Sequence, residues 1–131
     1  MISILFFANT YAEKECSRFE AFAAESVTDY LDSWSNVYLF YKQYNHCNDG
    51  SISEGASDKI ELLWFEHWDL LPEMQKIASS DPEFKEFLLK EVNSELFPKE
   101  RFDAVQKNAR SNCPPSVKEF CLEFIKGANQ K

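Results

Sequence analysis

Apolar positions recur along this chain at steps of three and four, the spacing that aligns side chains on one face of an α-helix. Residues 13 to 32 carry Cys16, Phe19, Ala23, Val27 and Tyr30 in that pattern, and residues 36 to 47 repeat it with Val37, Phe40, Tyr44 and Cys47. Between them "DSWSN" supplies the small polar residues that interrupt and cap helices, so the two segments are predicted to form an antiparallel hairpin. "NDGSISEG" is a second break, with a turn signal at Asp49-Gly50 and Ser51 or Ser53 as the cap of the next helix.

That next helix is predicted to run to about Leu71. Ile60, Leu62, Leu63, Trp64, Phe65, Trp68 and Leu70 nearly surround it, as expected of a central helix covered by neighbours, and Glu54, Asp58 and Glu61 form an acidic stripe on the remaining surface. Pro72 kinks or restarts it as a short continuation, "PEMQKIASS". Ser80 or Asp81 followed by Pro82 marks the start of a helix over 82–92 that buries Phe84, Phe87, Leu88 and Val92. Pro98 opens another, with Phe102, Val105 and Ala109 facing inward. Ser116 and Glu119 read as a capping box for a last helix over 117–126, stopped by Lys126-Gly127. No strand alternation of useful length occurs, so the expected fold is all-α, a compact bundle of about six helices.

Composition fits that reading. A chain of 131 residues that is 44% apolar and 15% aromatic builds one core, and three glycines and five prolines are too few for a turn-rich β-sandwich. Residues 13–131 are therefore read as a single helical domain. Residues 1–12, "MISILFFANTYA", form an apolar segment that resembles the end of a signal peptide, although no positive stretch precedes it. No run of about 18 apolar residues exists to predict a transmembrane helix.

The four cysteines include no Cys-x-x-Cys pair, and His46 and His67 fit no zinc module, so neither a metal nor a cofactor is expected. An even count beside a signal-like N-terminus argues for two disulfides and an oxidising compartment, the periplasm or the exterior. If the chain reverses near residue 32, Cys16 and Cys47 meet at the open end of the hairpin; their bond would remove roughly 3 to 4 kcal/mol of unfolded-state entropy. Cys113 and Cys121 remain, and bracket "CPPSVKEFC" as a short staple across the start of the last helix.

Charge excludes some partners. Fourteen basic residues against twenty-two acidic ones give a net charge of −8 with no basic cluster, which disfavours nucleic acid and anionic membrane and suits a basic protein partner. No G-x-S-x-G elbow or glycine-rich phosphate loop is present. His67, with Glu66, Asp69 and Glu73 nearby, is the candidate for hydrolase or ligand-binding chemistry. On an uninterrupted helix it shares a face with Ile60, Leu63, Trp64 and Leu71, which predicts a core histidine instead. His46 sits at a helix end, where a protonated imidazole favours the helix dipole. Asp49, Glu54 and Asp58 could gather at a helix start but lack the spacing of a calcium loop. Tyr38 and Tyr41 fall off the core face of their helix; they are either covered by another helix or exposed as interface residues.

"CNDGSISEG", with Cys47, Asp49, Gly50, Glu54 and Gly55, and "NARSNCPPSVKEFC" resemble a pattern in small exported bacterial proteins of uncharacterised role. The plan as a whole, an acidic helical domain stapled by disulfides, is similar to the periplasmic immunity proteins that neutralise type VI secretion amidase effectors. That resemblance is architectural and transfers no inhibitory residue; with the charge, the cysteines and the absence of catalytic motifs it leads to the expectation of a non-enzymatic binding protein, an immunity protein occluding a basic toxin, and the residues themselves offer Tyr38, Tyr41, Asp49, Glu54, Asp58 and Glu61 as its acidic, tyrosine-bearing surface. It leaves the oligomeric state open, a homodimer included. The alternatives are a small hydrolase or ligand-binding domain using His67 with Glu66 or Asp69, and a structural component of the cell envelope.

Overall fold

A computed structural model describes residues 14–95 and 97–127, and the apolar segment over 1–12 lies outside the described residues. Seven α-helices, with no strand among the described residues, form a bundle: α1 Arg18–Thr28, α2 Trp34–Tyr44, α3 Gly50–Glu66, α4 Leu71–Ser80, α5 Pro82–Val92, α6 Lys99–Ser111 and α7 Lys118–Gly127. Short 3-10 turns over Asn45–Cys47, Trp68–Leu70 and Pro115–Val117 link them.

α3 is the central element. It packs on α1, α5 and α6, while α1 also packs on α2, α2 on α4, α4 on α5 and α6 on α7. Trp64 shows why this helix had to be apolar on nearly every side. Fully buried, it meets Trp34 of α2 edge-on at 5.3 Å and stacks on Phe120 and Phe124 of α7 at 5.9 and 5.2 Å. One side chain thus holds three helices, and its truncation to alanine is expected to cost about 3–5 kcal/mol.

Both predicted disulfides are present. Cys16 and Cys47 close the open end of the α1–α2 hairpin with Cα atoms 5.0 Å apart, and Cys113 and Cys121 staple the loop before α7 to its first turns with Cα atoms 6.3 Å apart. These bonds suit an oxidising, extracytoplasmic environment. Among the described residues no helix is long and apolar enough to cross a membrane.

Several boundaries depart from the periodic reading, each for a local reason. α1 begins only after Ser17, whose hydroxyl accepts from the Glu20 backbone N–H while the Glu20 carboxylate accepts from the Ser17 N–H, a reciprocal capping box. α3 begins at Gly50 rather than after Ser51 or Ser53: Asp49 is its cap, and Gly50 takes φ +53°, a left-handed conformation that favours glycine. α3 also ends at Glu66, five residues short of Leu71, so the 3-10 turn shifts the register and His67 is exposed, not in the core. The last helix is entered through the Pro115–Val117 turn, which places Ser116 inside that turn and not at a helix cap. The bundle has seven helices where about six were expected because the segment after Pro72 is a full helix of its own, α4.

Candidate functional site

α1 lies on α3 through small residues. Ala24 and Thr28 are its buried positions, and opposite them Gly55 of α3 comes so close that a Cβ there would stand 3.1 Å from the Thr28 hydroxyl. Small residues permit this approach, and it leaves no room beneath α1 for an aromatic ring. The large side chains of the helix therefore face outward: Phe19 is 89% exposed and Phe22 73% exposed. Three residues apart, they are neighbours on the helix surface. Tyr30, just beyond the end of α1, is 69% exposed. Phe19 and Tyr30 thus correct the inward-facing pattern read from periodicity.

This outward face is held rigidly. Cys16–Cys47 anchors the entrance of α1, and His46, the neighbour of Cys47, places Nε2 2.5 Å from Glu20 Oε2. The hydrogen bond from His46, helped by that of Ser17 and by Lys14 3.5 Å away, lowers the Glu20 pKa to about 2. His46 therefore binds a carboxylate side chain rather than simply ending a helix. Glu15, Glu25 and Asp29 are exposed on or beside the same helix, with Arg18 the one exposed cation within α1. Apolar area of this kind on a pinned helix, with acidic side chains beside it, makes this face the candidate interaction surface.

The residues expected to bind a partner are not gathered on one surface. Tyr38 and Tyr41 are half-buried under α5, with Tyr38 4.8 Å from the Phe84 ring and Tyr41 5.3 and 4.9 Å from Phe84 and Phe87. The Tyr38 hydroxyl donates to Asp81 Oδ2 at 2.9 Å, and this bond raises its pKa above the ordinary tyrosine value; burial, then the Asp81 charge, raises that of Tyr41. Asp49 caps α3, and Glu54 and Asp58 are exposed on that helix. Glu61 is not part of an exposed acidic stripe: it is buried and paired with Arg101 of α6, whose guanidinium also lies 5.5 Å from the Phe65 ring. Sequence could not mark Glu61 as buried, since its partner stands forty residues away. The exposed phenylalanines had a readable signal in Ala21, Ala24 and Thr28, a run of small residues at helical spacing that competes with the aromatic stripe.

The alternative chemistry finds little room. His67 and Glu66 border a depression of about 80 Å³, well below the size of small-molecule sites, and Asp69 does not line it. Glu73 is occupied structurally, its Oε1 accepting from both the backbone N–H and the hydroxyl of Ser35 at 3.1 Å, which fixes the start of α2. Among the described residues no three of His, Cys, Asp and Glu converge as metal ligands would. The chain matches no family model, no curated protein and no solved structure.

Proposed function

We propose that this is a non-enzymatic binding protein that docks a basic protein through the outward face of α1, and that it acts in the periplasm or outside the cell as an immunity protein occluding a toxin. The observation that carries the reading is the pair Phe19 and Phe22, large aromatic side chains exposed at adjacent positions of a helix pinned at its entrance by a disulfide and a histidine–carboxylate contact. Exposing two phenylalanines costs solubility, whereas a partner that buries them gains the area without having to order the helix first. Glu15, Glu25 and Asp29 beside them, and the net charge of −8, favour a basic partner and speed its encounter.

The test is calorimetric titration against the secreted protein encoded beside this gene, with its toxic activity assayed in parallel. Binding should be accompanied by inhibition. Phe19→Ala with Phe22→Ala should weaken it by at least about thirtyfold, the equivalent of losing about 2 kcal/mol from an interface centre. Binding that the double variant leaves intact would move the docking surface elsewhere, and binding without inhibition would leave a binding protein that is not an immunity protein.

A further inference from the structure

A cleft of about 490 Å³ opens where the end of α6 meets the start of α7. The Cys113–Cys121 disulfide forms part of its wall and fixes the connecting loop, so the cleft is pre-formed. Its lining is largely apolar: Ala109 and Cys121 are buried beneath it, and Leu122, 52% exposed, lines it with Ile125. Lys118, Leu122 and Ile125 follow one another at steps of four and three and share one stripe of α7. Arg110 stands across from them at the end of α6.

The charge of this cleft is opposite to that of the molecule. Arg110 and Lys118 both line it, no acidic side chain does, and neither cation is in an ion pair among the described residues. On a chain of net charge −8, two exposed cations outside any ion pair, beside an apolar lining, favour a ligand that is anionic at one end and apolar along the rest. An inorganic anion would leave Leu122 and Ile125 uncovered, and a neutral hydrocarbon would leave the two cations unmatched. The volume falls within the range of small-molecule sites.

We infer that this cleft binds a single-chain amphiphilic anion, an unbranched medium-length fatty acid, with its carboxylate between Arg110 and Lys118 and its chain along Leu122 and Ile125. The guanidinium fork of Arg110 suits a carboxylate. The inference does not rest on the docking role of α1.

The experiment is calorimetric titration of the oxidised protein with monomeric decanoate, below its micellar concentration, in parallel with decanol and inorganic phosphate. Saturable one-to-one binding of decanoate is expected, with decanol and phosphate each much weaker. Arg110→Gln with Lys118→Gln should weaken decanoate at least about tenfold, with far-UV circular dichroism and melting unchanged. Leu122→Ser, at an exposed position, should weaken it independently. Decanol or phosphate binding as tightly as decanoate would overturn the inference, as would decanoate binding that both variants leave intact. Absence of saturable binding to monomeric decanoate, with association only to vesicles of anionic phospholipid, would assign the cleft to a membrane surface and overturn it equally.

Discussion

His46 Nε2 stands 2.5 Å from Glu20 Oε2, and so ties the residue beside one end of the Cys16–Cys47 disulfide to the side chain that caps α1 next to the other. The carboxylate titrates at about 2 in the folded protein, below its ordinary value of 4.5. A depressed carboxylate contributes stability that is present above its unfolded pKa and lost as pH falls through the folded one. Glu20→Gln keeps the capping box but removes the charge. Melting curves of wild type and Glu20→Gln should therefore differ most above about pH 4.5 and converge as the pH falls toward 2. A constant difference across that range would show that the His46 contact adds nothing electrostatic.

The two disulfides should differ in what they contribute. The loops they close span 31 and 8 residues, and on the chain-entropy model this gives about 3.5 and about 2.5 kcal/mol. Urea unfolding of the Cys16→Ala/Cys47→Ala and Cys113→Ala/Cys121→Ala variants should rank them in that order. The first variant should also lose the ordered start of α1, visible as faster amide exchange over Arg18–Phe22 than over α7.

Glu61 and Arg101 join α3 to α6 with the carboxylate almost wholly buried and the guanidinium partly exposed. Arg101→Leu leaves a buried charge without its partner and should destabilise by about 3 kcal/mol. Adding Glu61→Leu to that variant should recover part of the loss, because the unpaired charge goes with it. Denaturation midpoints of the two single variants and the double variant decide the matter; a double variant that is simply the sum of the singles would mean the pair does not interact.

Glu91 of α5 has the opposite titration from Glu20. Burial raises its pKa, while hydrogen bonds from Ser57, at 2.8 Å, and from Asn48 act the other way and do not overcome it. A carboxyl raised in the folded state contributes stability below its unfolded pKa and loses it as pH rises through the folded value. Glu91→Gln, which can still bond Ser57, should gain on the wild type as pH rises from 4 to 8. Thermal melts of the two proteins at paired pH values measure this, and parallel curves would refute it.

How far the fold could be read from the sequence depended on whether the deciding interaction was local. The break at "DSWSN" and the spacing of Cys16 and Cys47 were enough to bring those thiols together, since hairpin geometry is set within thirty residues. Asp81 and Pro82 likewise fixed the start of α5, with the Asp81 carboxylate accepting from the Phe84 N–H. What failed was face assignment. Phe19 counts toward an apolar stripe in any periodic reading, yet the contact that sets the rotation of α1 is made by Thr28 against Gly55, where absence of bulk matters more than hydrophobicity. His67 turns to solvent because α3 stops at Glu66, the residue before it and five short of the expected end at Leu71, and nothing in "FEHWDL" announces that end. The outward face of α1 was accordingly the least legible part of the molecule, and Tyr38 and Tyr41, placed off the core face, lie under α5.

The Cys16–Cys47 bond also determines how the protein carries force. Tension applied to the two ends of the chain passes through the sulfur bridge from residue 16 to residue 47 and bypasses the covalent loop that holds α1 and α2. A motor threading the oxidised protein would be obstructed at that crosslink. Pulling experiments should release a contour length shorter than that of the reduced chain by on the order of 120 Å, counting both bridges. Phe19 and Phe22 sit inside the sheltered loop, so the outward face of α1 would remain tethered to its hairpin even while the rest of the bundle is drawn apart.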